Sequence, residues 1–309
     1  VSVLGDAGAL DVGAAFSAGG ATTISITGAA GAVTVGDGSF SASKATSLTV
    51  TAAAGAVQVG GAGMSVAALV DLVVTDTSGT GNVGVGATNA GVLGTITAAN
   101  ALKTVSITSS TGDINIGNIE AKAGTAATAM TSFTVVSGAN TTTANKIGGL
   151  DLDIDGTLGT YSVTAGASTN ANNVYGSVTA ASVGTMSVIT GDGGGVHTFS
   201  TMAGIVSLGS LTIDADDNVT VTSGFTGATS VGSISIATVS GATVNVGTVG
   251  ASGSTVGDIT HTGAGVFTMT VGAALSVGTI TGGAGRSNIT LDSGTLIGTT
   301  YTGGSGIDN

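Results

Sequence analysis

The chain has no cysteine, no proline and no tryptophan among its 309 residues. Absent cysteine excludes disulfides and thiol chemistry. For a secreted protein it points to a bacterial or archaeal exterior rather than a disulfide-stapled one. Absent proline means that no rung of a β-ladder would lose its backbone donor. Charge is scarce as well, at 7% of residues against roughly 25% in an average globular protein. Lysine and arginine number five, at Lys44, Lys103, Lys122, Lys146 and Arg286, against 17 acids. The net charge of −12 repels nucleic-acid phosphates and anionic membrane surfaces and is compatible with divalent cations. No apolar run nears the ~20 residues of a membrane-spanning helix, and no charged and then apolar segment marks a signal peptide at the start. The opening Val1 and the closing GGSGIDN, which stops in mid-pattern, read as an ordered piece of something longer.

What the chain does have is 56 glycines and an abundance of Ala, Val, Ser and Thr. Glycine alone would suggest disorder, but disorder also needs low hydrophobicity or dense charge. Here the hydrophobic fraction is 42%. Glu120 is the one glutamate, and every other acid is aspartate. Aspartate favours turns, whereas glutamate and lysine favour helices, so the balance speaks for strands and turns.

The strands repeat. One alternating series begins TTISIT (22–27), TSLTVT (46–51) and VDLVVT (70–75), and continues to GDITHT (257–262) and GTITGG (278–283). From the third residue of each block, the steps are 24, 24, 33, 28, 28, 25, 25, 23, 25 and 21 residues. A second series lies between them, including AVTVG (32–36), DINIG (113–117) and TVNVG (243–247). Glycines 184, 209, 232, 257 and 278 keep the same beat. A period sustained in this way marks a stacked-repeat protein, and a unit of two strands and two turns leaves no room for a helix. The expected fold is all-β: a parallel β-solenoid of about eleven coils of roughly 21–28 residues, making a rod of ~55 Å at one strand spacing per coil. Alternation sends Ile234 and Ile236 inward and Ser233 and Ser235 outward, and the ladders Met186/Leu211/Ile234 and Val188/Ile213/Ile236 share one core that no single coil closes alone. The stretch 67–74 is read as strand. Segments 121–129, 138–145 and 166–173 are read as outward loops. Residues 1–302 form one solenoid domain.

Two acidic clusters stand out. In LDLDIDG (150–156), Asp151, Asp153 and Asp155 alternate along one strand face, where they could share a hard cation. Position twelve of that run is Ser162 rather than Glu, which excludes a helix-flanked calcium loop. Asp214, Asp216 and Asp217 crowd a turn at DADDN (214–218). Turn geometry explains aspartates there, and three like charges so close also favour a counter-ion. At the end, Gly303, Gly304, Gly306 and Asp308 match the start of the nonapeptide G-G-x-G-x-D-x-U-x. The segment 303–309 thus resembles the edge of an RTX calcium-binding repeat region. At 282–289 the similar GGAGRSNI has Ser287 where aspartate belongs, so the pattern is broken there. The resemblance implies secretion without an N-terminal signal, calcium-supported folding outside the cell, and use in surface layers or giant adhesins.

Nothing else reads as chemistry. His261 takes the register of Ile236 one coil on and is expected to point inward, and His197 lies too far along the chain to join it. No Ser–His–Asp set is argued by spacing, and Glu120 has no partner acid for a glycosidase pair. Polysaccharide-cleaving solenoids need a cleft of acids, bases and aromatics, which the regular coils lack. Thr-x-Thr pairs such as Thr49/Thr51 and Thr260/Thr262 do not recur at one place in every coil, as an ice-binding face requires. The expectation is therefore a non-enzymatic structural protein of the prokaryotic cell surface or extracellular space. It would assemble with copies of itself, with calcium as its cation and cell-surface polysaccharide as a further partner. The alternative is the repeat stalk of a secreted adhesin. No nucleic acid and no membrane span are expected.

Overall fold

The computed structural model describes the chain except for residues 78–80, 88–93, 99–101, 122–128, 140–146, 150, 155, 168–171, 293–298 and 307–309. The described residues hold strands, turns and bends and no helix. The strands wind into a β-solenoid of about 11 turns. Every ladder between named strands is parallel, so each strand pairs with its counterpart one coil on, as in Ile24↔Leu48, Leu72↔Leu48 and Met186↔Leu211.

The first sheet contains the first sequence series in the register that the sequence predicts. Its continuous path carries thirteen strands, from Ser2–Gly5 to Thr300–Thr302. The second sheet has twelve strands and contains the second series. It also includes Val196–Phe199, which the sequence reading passes over. A third sheet of eight short strands, from Ala15–Ser17 to Met202–Ala203, goes beyond the two strands per coil identified from sequence. Each of its strands turns one large or branched residue inward: Phe16, Phe40, Met64, Ile96, Ile119, Leu152, Val178 and Met202. The stretch 67–74 divides: Leu69 N–H closes a turn onto the Val66 carbonyl at 2.9 Å, and Asp71–Asp76 is strand.

Alternation decides what is buried. Ile24 and Ile26, Leu48 and Val50, Leu211 and Ile213, and Ile234 and Ile236 are all sealed inside. Burial of each such side chain contributes on the order of 2 kcal/mol. The aromatics gather in the middle coils, where the sequence steps are longest. Phe133 stacks on Tyr161 with ring centroids 5.3 Å apart, and Tyr175 packs on Phe199 at 4.4 Å.

Two columns deal with the polar backbone. The third inward position of the first sheet runs Ala52, Asp76, Ser109, Ser137, Ala165, Thr190, Ala215, Thr238. Several of its hydroxyls cap the next corner. Ser109 Oγ accepts the Gly112 N–H at 3.0 Å, and Thr190 Oγ1 accepts those of Asp216 and Asp217 at 3.1 Å each. The second column is Gly159, Gly184, Gly209, Gly232 and Gly257, where nine-residue strands such as Ser182–Thr190 bend into the first sheet. A Cβ on Gly184 would lie 2.5 Å from the Gly159 carbonyl oxygen, and the glycines above it meet their neighbours closer still. Glycine is therefore a packing requirement at this bend.

Candidate functional site

The corner after Ser207–Ala215 gathers the most chemistry. Its four acids behave differently. Asp214 ends the strand and projects outward, exposed, and Asp192 is exposed one coil before. Asp216 is part-buried at the rim. Asp217 is only 5% exposed and turns inward. Its Oδ1 accepts the N–H groups of Gly194 at 2.7 Å and Gly193 at 3.3 Å, tying two coils together. Partial burial, and then the carboxylates of Asp214, Asp192 and Asp217, raise the pKa of Asp216 above its ordinary 3.8.

Behind Asp217 lies a buried polar chain. His197 Nε2 is 3.7 Å from Asp217 Oδ2, an electrostatic contact too long for a hydrogen bond. On its other side His197 Nδ1 is 2.8 Å from the Tyr175 hydroxyl. Burial keeps that phenol protonated by raising its pKa well above the usual 10.0, reinforced by the charge of Tyr161. The Asp217 carboxylate can only accept, which assigns the proton of neutral His197 to Nε2 and leaves Nδ1 to accept from the Tyr175 hydroxyl. Burial lowers the His197 pKa from 6.5, and the charge of Asp217 works against that. The order Tyr–His–Asp has the form of a proton relay, but His197 is 2% exposed and Tyr175 is fully buried. The hydrogen bond between Tyr175 and His197 ties successive coils together inside the core, and Asp217 closes the row at the corner. The sequence reading did not link these residues, because they come from three successive coils.

His261 is buried in the register of Ile236, as predicted. Its nitrogens meet Thr238 Oγ1 at 2.9 Å and Ser287 Oγ at 2.8 Å. Ser287, which breaks the RTX-like pattern, is thus an interior partner of a histidine.

Asp151 and Asp153 sit in adjacent coils to Glu120, on the third sheet's outer side. Glu120 pairs in register with Asp153, and Asp151 Oδ1 accepts the Ser177 N–H. These residues line a surface cavity of about 250 Å³. A second cavity, of about 240 Å³, lies beside Asp192, Asp216 and Asp217. Both are smaller than the ~300 Å³ at which small-molecule pockets begin. Asp155 and Asp308 fall outside the described residues. Among the described residues, no group of three or more His, Asp or Glu is placed to hold a metal ion. Among the described residues no helix is long and apolar enough to cross a membrane. Comparison with protein-family models, with curated proteins and with solved structures gives no match.

Proposed function

We propose that the chain is a non-enzymatic structural segment of a prokaryotic cell exterior, self-assembling into a surface layer, sheath or extracellular filament. The observation that supports this reading best is the continuity of the first sheet. One ladder keeps its register from Ser2 to Thr302, and both histidines are sealed inside. Such a chain is suited to presenting repeated faces and poorly suited to binding a small substrate. The RTX-like ending and the net charge of −12 bring calcium and secretion into the proposal.

The test is electron microscopy of the purified chain in millimolar calcium, enough to saturate weak extracellular sites, and then in chelator. Sheets or filaments that form with calcium and disperse without it are the expected result. Assembly indifferent to calcium would remove the cation and leave the structural role. Single rods under both conditions would overturn the reading and favour an adhesin stalk.

A further inference from the structure

The outward side of the first sheet differs from the rest of the surface. Its central column contains thirteen residues in register, starting at Ser2, Ser25 and Thr49 and ending at Thr260, Thr281 and Thr302. Twelve are serine or threonine, and Val73 is the exception. A second hydroxyl column, with Ser47, Thr104, Ser132 and Thr160, flanks it on one side, and on the other a mixed column runs Thr27, Thr51, Thr75 and Thr108 and then Val136, Thr164, Ile189 and Asp214. Along this face only Asp71, Asp214 and Asp258, the last just before Ile259–Gly263, project a charge outward, and no lysine or arginine lies within its strands. The net charge of −12 is thus carried mostly elsewhere.

Deepening the assembly reading above and resting on it, we infer that this face is where two copies of the chain meet, hydroxyl column against hydroxyl column. Three observations choose a second copy. Two strongly acidic molecules approach most readily where charge is sparse, and this face carries only three aspartates along thirteen rungs. Both partners share the same ~4.8 Å strand repeat, so every rung meets a rung and the small side chains interdigitate as in a dry β-interface. The area is sufficient as well. Thirteen rungs at ~4.8 Å and three columns at ~6.6 Å give about 1,200 Å² per copy, against the ~800 Å² per partner of a standard stable interface. An isologous pairing of this kind covers the face on both copies.

The experiment compares sedimentation and micrographs of the wild-type chain with two triple variants. Thr49→Lys, Thr134→Lys and Thr212→Lys place charge in the central column. Thr34→Lys, Thr198→Lys and Thr220→Lys place the same charge on the outward side of the second sheet. Lysine lowers the net charge, so weaker association cannot come from added overall repulsion. The expected result is association weakened roughly 100-fold or more in the first variant, since it must bury unpaired charges, and little changed in the second. If the first variant assembles like the wild type, this face is not the contact, while self-assembly stands. A wild-type chain that remains single overturns the assembly reading and this inference together. Capture of such single rods on insoluble polysaccharide would then assign the face to that partner. Should the lysines impair folding, a nitroxide on Thr134→Cys, clean in a chain without cysteine, keeps the inference testable. Its access to a soluble relaxation agent must fall on assembly, while that of a label on Thr198→Cys must not. Equal access at both positions overturns the inference.

Discussion

The rod closes its coils in two different ways. Up to Ala203 three sheets enclose the core, and many coils turn through short three-residue strands such as Ser39–Ser41 and Gly63–Ser65. Beyond Ala203 no described strand joins the third sheet. There the first sheet continues in nine-residue strands, Ser207–Ala215 and Ser230–Thr238, like those already present from Ala129–Ser137 onward, and the second sheet lengthens to Thr243–Val249. The filling shifts along the rod: four rings, Phe133, Tyr161, Tyr175 and Phe199, sit close together in the middle, whereas beyond Ala203 single rings at Phe225 and Phe267 stand among aliphatics such as Leu211, Ile213, Ile234 and Val244. One ladder register therefore tolerates different cross-sections, provided that each coil fills its own interior. Stacking fixes the period, and side-chain volume fixes the girth.

The largest expected effect tests the region beyond Ala203. Gly209→Ala drives a methyl into the backbone of the coil below and is expected to cost about 3 kcal/mol in urea unfolding, at the upper end of overpacking. Gly20→Ala in the three-sheet region has open space around it and is expected to change stability by less than about 0.5 kcal/mol. Equal effects would show that the bend is no packing constraint. The next test concerns the middle. The Tyr161 hydroxyl is buried without a hydrogen-bond partner, so Tyr161→Phe is expected to stabilise the chain by about 1 kcal/mol. Tyr175→Phe, which strips His197 of its donor, is expected to destabilise it by about 1 kcal/mol. Thermal melts of the two variants should move in opposite directions.

The boundary between the regions carries a pH dependence. Because burial lowers the His197 pKa from 6.5, the unfolded chain takes up that proton first. Its contribution is present above about 6.5 and is lost as pH falls towards the lower folded value. Asp216 acts in the opposite sense: its raised pKa favours the fold at low pH, and that contribution is lost as pH rises from 3.8 through the folded value. Melting the wild type and His197→Phe from pH 8 to 5 should show a slope in the first that is flattened in the second. The smallest effect is Asp216→Asn at pH 7, a gain within about 1 kcal/mol because the group is near the surface and partly screened. A loss of stability there in calcium buffer, absent in chelator, would reveal a bound cation.

Much of the fold was legible in the sequence because alternation and period are one-dimensional signals. The register Ile24, Leu48, Leu72, Val105 through to Ile280 needs only counting. The third sheet was not legible: a strand such as Ser39–Ser41 shows one apolar residue between two polar ones, too short for a period to register. Val196–Phe199 was missed because a histidine fills the inward slot where the pattern expects an aliphatic. The candidate corner was half legible. Three aspartates flagged it, but nothing in the sequence separates Asp217, held inside by Gly193 and Gly194, from exposed Asp214. That division is made by the next coil, which linear spacing does not show.

The ladder direction also determines how the rod yields to force. Its interstrand hydrogen bonds lie along the long axis, so tension applied between the first and last coils opens them one rung at a time instead of shearing many together. Each freed coil of some two dozen residues releases on the order of 80 Å of slack chain. Stretched in this way, the rod would behave as a stepwise extensible tether, absorbing a pull coil by coil while the remaining coils hold.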